Sequence, residues 1–406
     1  MLLLATSAVS AQDAPLSVSV DCPGFVPGCD VDFFQTEVAF ARFVRDPAGA
    51  DVAVLITTQA TGGGGQRYDL FFRGRRGAAS GRVDTLTVQT EPGATDDAQR
   101  RALLGRLALG VAGFAARTSL ADQLSVAYAA PAAAAATAPA RDPWNNWVFR
   151  VSGQGSFNGE QRTSSANTFG SFSASHVTDR WKVSIRPNGS YNRRTFELRD
   201  GSTVVNENTS YGAFGRVVRA LSPHWSAAMK AGVRRSTFQN YEGRFGGGPA
   251  VEYNVFPYTE STRRQLRLSA ELEGEGVAYV DTTIFGKTSE SNLRQEYGVA
   301  AVFAQPWGST DIGLEASHIL TRPDKYRFEL NGQVDFRITR GLNVNVFGNA
   351  SLIRDQINLP RVGATDEEVL TAQRELATGY QYFMGVGLSY TFGSIFNPVV
   401  NARFGN

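Results

Sequence analysis

The chain has 406 residues, room for two domains, and carries 40 Lys and Arg against 38 Asp and Glu, a formal net charge of +2. So even a balance excludes a nucleic-acid footprint and an acidic disordered tail, each of which needs an excess of one sign. Gly (42), Phe (26) and Tyr (13) are abundant, mean hydropathy is −0.21, and no apolar run reaches the roughly 18 residues that a membrane-spanning helix requires.

Leu2–Ala11 ends Ala-Val-Ser-Ala before Gln12 and reads as the end of a secretory signal without its basic start. Residues 1–11 are therefore assigned to a signal peptide, or to the end of a longer one. Two Pro-Gly turns separate Cys22 from Cys29 and fold the chain back on itself, which in an oxidising compartment favours a local structural disulfide. Two thiols with no nearby His make a poor metal site, and no metal is expected.

Residues 12–128 carry an α/β pattern. Leu16–Val20 alternates like a short strand, and Thr36–Val44 places Phe40, Phe43 and Val44 on one helical face. Asp51–Thr57 reads as a buried strand, with Tyr68–Phe72 and Val83–Val88 as the next two. Gly62–Gly65 lies between strands and is followed by no Gly-Lys-Ser/Thr, so it is a hairpin turn rather than a phosphate loop. Thr95 caps a long helix with Asp96 and Asp97 in its first turn and Leu103, Leu104, Leu107, Val111 and Phe114 at three- and four-residue spacing. Leu124–Tyr128 is expected to close the sheet, in the order β-α-β-β-β-α-β.

Ala129–Pro143 is an Ala/Pro linker, and past it the helical period vanishes. In Tyr326–Thr339, Tyr326, Phe328, Leu330, Gly332, Val334, Phe336 and Ile338 form one face; Arg327, Glu329, Asn331, Gln333, Asp335, Arg337 and Thr339 form the other. Leu266–Glu273, Leu342–Leu352 and Gln381–Phe392 repeat this rhythm. Long strands that are apolar on one side and charged on the other are what a bilayer demands of an outer-membrane barrel. About twelve such segments follow, starting near Trp144, Ser164, Trp181, Asn206, Trp225, Arg244, Arg264, Asn292, Thr310, Tyr326, Leu342 and Tyr380. Short links alternate with long ones, the latter at Asn158–Asn167, Glu197–Thr209, Asp281–Ser291 and Asp355–Tyr380. Within the last, Thr365–Ala377 reads as a helix over one mouth. Trp144, Trp147, Trp181, Trp225 and Trp307 all fall at the short-turn end, as an interfacial aromatic girdle does. The fold class is thus mainly β: an antiparallel transmembrane barrel over residues 144–406, with a C-terminal tail, preceded by a small periplasmic α/β domain.

The last strand ends Gly387-Leu388-Ser389-Tyr390-Thr391-Phe392, which resembles the C-terminal insertion signal of outer-membrane barrels, Gly387, Tyr390 and Phe392 being the matching positions. In the usual pattern the aromatic residue is the final one; here Gly393–Asn406 continues. The chain as a whole resembles a family of outer-membrane β-barrel proteins with an N-terminal periplasmic α/β domain. The likeness rests on Asp32-Phe33-Phe34-Gln35-Thr36-Glu37, Val44-Arg45-Asp46, Ala50-Asp51-Val52, Leu55-Ile56-Thr57-Thr58-Gln59, Gly62–Gly65 and Ser394-Ile395-Phe396-Asn397. That family has no settled activity, so the resemblance implies fold and location, not chemistry.

Three histidines offer little catalysis. His176 and His224 fall in turns, and Ser317 and His318, adjacent on a strand, point to opposite faces, so they form no nucleophile–base pair. No cofactor is expected, and no enzymatic activity. The polar face is the better clue, with Arg150, Lys182, Arg186, Arg267, Glu271, Glu273, Arg327, Glu329, Asp335 and Arg337 lining a lumen. The leading expectation is a passive pore or uptake channel for small polar solutes, its periplasmic domain docking a protein partner. The alternative is a non-conducting structural or assembly barrel that anchors that domain, and a barrel hydrolase ranks last. Expected partners are outer-membrane lipid, the barrel-assembly machinery during biogenesis and a periplasmic protein, and no nucleic acid.

Overall fold

Two sequence rhythms become two sheets. The computed structural model describes residues 16–125, 142–305, 307–339, 342–361 and 375–390. The signal expected at 1–11, most of the Ala/Pro linker, most of the helix expected over 365–377, and Phe392 with the tail beyond it lie outside the described residues.

The N-terminal unit contains β1 (Leu16–Asp21), α1 (Val31–Glu37), β2 (Ala41–Phe43), β3 (Val52–Ala60), β4 (Gln66–Gly74), β5 (Val83–Gln89) and α2 (Asp96–Ala115). Its sheet runs in the order β2-β1-β3-β4-β5, with β1 parallel to both its neighbours. The helix expected over 36–44 forms earlier. The Asp30 carboxylate accepts the Phe33 amide at 2.9 Å and fixes the start of α1, and Phe34 supplies its buried residue. Residues 41–43 instead pair with β1, Leu16 to Ala41 and Val18 to Phe43, so Phe43 reaches the core from a strand. The closing strand expected at 124–128 is also displaced: Ser119–Gln123 is a short 3-10 turn, Leu124 packs against the core, and residues 126–128 lie outside the described residues.

α2 begins where expected, the Thr95 hydroxyl accepting the Ala98 amide at 3.2 Å. Leu103, Leu107, Val111 and Phe114 are buried against Tyr68, Leu70 and Phe72 of β4. The contact is close because position 110 is glycine; a Cβ there would lie 2.1 Å from the tip of the Phe72 ring. The Cys22–Cys29 disulfide is formed and closes the loop between β1 and α1.

The second sheet has twelve strands in strict sequence order. They are β6 (Trp147–Gly159), β7 (Thr163–Val177), β8 (Trp181–Glu197), β9 (Thr203–Ala220), β10 (Trp225–Ser236), β11 (Tyr241–Asn254), β12 (Arg264–Tyr279), β13 (Ser289–Gln305), β14 (Gly308–Ile319), β15 (Arg322–Thr339), β16 (Leu342–Ile353) and β17 (Tyr380–Tyr390). Every expected strand is present, the largest displacement being β15, expected from Tyr326 and found from Arg322. Two of the expected long links are mostly strand: β6 and β7 are joined through residues 160–162, and β8 and β9 through 198–202. Polar pairs such as Asn158 with Ser165 and Arg193 with Glu207 carry these ladders onward, so polarity there marks strand beyond the apolar band rather than loop.

The sheet is strongly curved. One polar cavity of about 250 Å³ is lined both by Arg234 on β10 and by Arg327 and Glu329 on β15, strands that five spacings would hold about 24 Å apart in a flat sheet. Among the described residues no ladder joins β6 to β17, so the two ends of the wall are its only unpaired edges.

Candidate functional site: the charged inner face

The register assigns each side chain to a face without reference to polarity. Glu271 faces Ala250, which faces Ala228, then Val218, then Lys182. In the other direction Arg267 leads through Ala300 and Gly313 to Asn331. Because side chains alternate along each strand, Lys182, Arg186, Arg267, Glu271, Glu273, Arg327, Glu329, Asp335 and Arg337 share one face. Arg150 joins them through Ser173, which lies opposite Arg186 in the register pairing Ala174 with Ile185. The other face is apolar and uncovered: Leu330 is 48% exposed and Leu388 71%. Trp147, Trp181 and Trp225 begin β6, β8 and β10, Trp307 directly precedes β14 and Trp144 lies in the turn before β6, so all five sit at one end of the sheet.

On the inner face β11–β15 form an ion-pair lattice. Arg244 meets Glu275 at 2.6 Å and Glu273 at 3.7 Å, Arg267 meets Glu252 at 3.8 Å, and Lys230 reaches across to Glu271. Asp355 is held by Arg294 at 2.9 Å and Arg327 at 3.0 Å. It tethers the segment after β16, whose Ile357, Asn358 and Leu359 are buried. Asn240 donates to the Asn358 carbonyl at 2.8 Å, and Thr283 bridges Pro360. The chain thus folds inward over the end away from the tryptophans. Asp355, Arg294, Glu275 and Arg244 are functional candidates that the sequence reading missed. Both arginines and Glu275 continue the polar alternation, whereas Asp355 sits in irregular chain with no period to reveal it.

The N-terminal unit meets the opposite, tryptophan-bearing end. Arg337 donates to both oxygens of Asp21, at 3.1 and 3.2 Å. Ser261 donates to the Gln59 side-chain oxygen at 3.0 Å, Arg263 stacks over the Phe71 ring at 4.9 Å, and Gly62 abuts Val177. A cavity of about 740 Å³ lies at this junction, bounded by Phe25 and Gln59 on one side and Gln265, Asp311 and Gln333 on the other.

Burial pushes the Asp21 carboxyl above its usual range, and the attraction and hydrogen bonds of Arg337 only partly offset it. Arg337→Gln strands that carboxylate, whereas Asp21→Asn removes a charge that burial already disfavours. With the side chains 33% and 18% exposed, we expect Arg337→Gln to speed amide exchange over residues 22–26 and 59–64 by about tenfold. Asp21→Asn should leave it near wild type. The seated carboxyl has the higher pKa, so the seated state holds the extra proton. Docking therefore strengthens as pH falls through that raised value towards 3.8 and weakens as pH rises through it. Acidification should accordingly restore protection in Arg337→Gln, and equal damage from the two substitutions would refute the assignment.

His176 lies against Trp147, His224 donates from Nδ1 to the Asn254 carbonyl at 2.8 Å, and His318 faces Tyr326 across the ladder.

No protein-family profile matches the chain, and no curated protein matches it in sequence. Solved structures similar to it include the translocator domain of autotransporter NalP from Neisseria meningitidis, with 11% identity over 61% of this chain and 87% of that one and a TM-score of 0.27. The NanC porin shows 8% identity over 60% and 99%, TM-score 0.28. The β domain of the Bordetella autotransporter BrkA shows 11% over 61% and 98%, TM-score 0.25. Likenesses this weak say nothing of what this chain does.

Proposed function

We propose that this chain is an outer-membrane pore for small polar solutes whose inner mouth is seated on its own periplasmic domain. One observation carries the reading. The inner face keeps cavities of about 520 and 500 Å³ whose mixed linings include Lys230, Glu271 and Glu273 in one and Asn192, Arg194 and Arg234 in the other, while the outer face exposes aromatic and aliphatic residues that lipid would cover. Lipid, the assembly machinery that inserts barrels and a periplasmic protein are the partners this reading implies; no catalytic step, cofactor or metal enters it. The seat of the N-terminal unit on the barrel end also suits an anchoring role, in which the barrel conducts nothing. Planar-bilayer recording on the full chain separates the two. The pore reading expects single-channel steps, altered in size when Arg327 is changed to Gln and Asp355 loses one of its two arginines. A membrane that stays silent with folded protein inserted supports the anchor.

A further inference from the structure

We propose that the wall formed by β6–β10 is a binding track for multivalent oxyanions, a reading that rests on the pore proposal and names the class of solute the lumen takes. The two halves of the inner face differ in kind. Every arginine that β11–β15 turn inward, such as Arg244, Arg294 and Arg327, is ion-paired. On β6–β10 the inward positions hold Arg150, Lys182, Arg186, Arg194, Arg216 and Arg234, and among the described residues none has a carboxylate partner. The acidic residues of those strands, Glu197 and Glu207, fall at outward positions in the register. Lys230 alone on this wall is neutralised, by Glu271.

Folding places these cations close together. Arg216 faces Ser184 and Val218 faces Lys182, so Arg216 and Lys182 are diagonal neighbours. Arg234 faces Gly212, which faces Asn188, two residues beyond Arg186. The Arg216 Nε is buried with no acceptor among the described residues, as are those of Arg267 and Arg294, which unlike Arg216 are ion-paired through their other nitrogens. From Lys182 to Arg194 the track runs about 40 Å along β8. Near its far end Arg194 and Arg234 share a cavity with Asn167, Asn192, Asn206 and Asn208, amides able to bond the neutral part of a solute. Like charges lined up at this spacing repel. A carboxylate or phosphate, which guanidinium binds through paired N–H donors, relieves that repulsion.

Isothermal titration of the full chain in zwitterionic detergent, with citrate and with pyrophosphate as separate probes, tests the track without requiring conduction. We expect saturable binding of at least one; citrate alone marks a carboxylate track and pyrophosphate alone a phosphate track. The combination Lys182→Gln, Arg186→Gln and Arg216→Gln should weaken binding by at least about tenfold. The matched loss of three outward cations, Arg193→Gln, Arg219→Gln and Arg235→Gln, should leave it unchanged. A heat-dependent shift in gel mobility confirms that both variants are folded. No saturable heat with either anion, or equal weakening by the two variants, overturns the proposal. Bilayer conductance without anion binding would refute the track alone, and anion binding to a silent barrel would refute the pore alone.

Discussion

Leu330→Arg is expected to lower the stability of the lipid-embedded chain by about 2–4 kcal/mol, the range for a cation placed on the lipid face at mid-bilayer. Leu330 stands near the middle of β15, pairs with Leu314 and Ala350 on the flanking strands, and is 48% exposed. The same arginine at Asn331, one residue on and facing inward between Gly313 and Asn349, meets water and polar groups and is expected to cost far less. Guanidinium unfolding in phospholipid vesicles reads both variants. Equal costs at 330 and 331 would mean that the two faces do not see different solvents.

Phe72→Ala is expected to remove about 3–5 kcal/mol from the N-terminal unit, as truncating a fully buried aromatic does. Phe72 is 1% exposed, stacks on Phe114 with ring centres 6.3 Å apart, and fills the groove that Gly110 leaves open to it. The helix cannot close on the gap, because Leu103, Leu107 and Val111 already pack against the same sheet. All five tryptophans lie outside this unit, so the readout is amide exchange along α2. It should accelerate by about two to four orders of magnitude. Unchanged exchange would show that Phe72 is not a keystone of this core.

What was legible in the sequence follows from what holds each part together. The barrel strands repeat a local rule, apolar on one side and polar on the other, so Tyr326–Thr339 alone reveals both face and direction, and the tryptophans mark one end. Limits appear where a contact is made across sequence. Asp21 and Arg337 lie 316 residues apart, and nothing near either announces the other. Asp355 and Asn358 belong to irregular chain whose burial depends on Arg294, Arg327 and Asn240 supplied by other strands. In the N-terminal unit the apolar spacing of Phe40, Phe43 and Val44 suggests a helix, but the Asp30 cap starts one earlier and parallel pairing with β1 claims Ala41–Phe43. Local pattern there was overruled by a cap and a ladder. The charge split of the inner face was present in the alternation, yet seeing that only one wall is unpaired required the register.

The decisive measurement is a nitroxide scan of β15 in phospholipid vesicles, one single-cysteine variant at a time from Phe328 to Phe336. Cys22 and Cys29 are bonded to each other and take no label. Labels at 328, 330, 334 and 336 should collide with oxygen dissolved in lipid, and those at 329, 331, 333 and 335 with a water-soluble nickel complex, in strict alternation. Collision with the nickel complex at every position would mean that no face of this sheet touches lipid, and the barrel, its pore and its anion track would fall together.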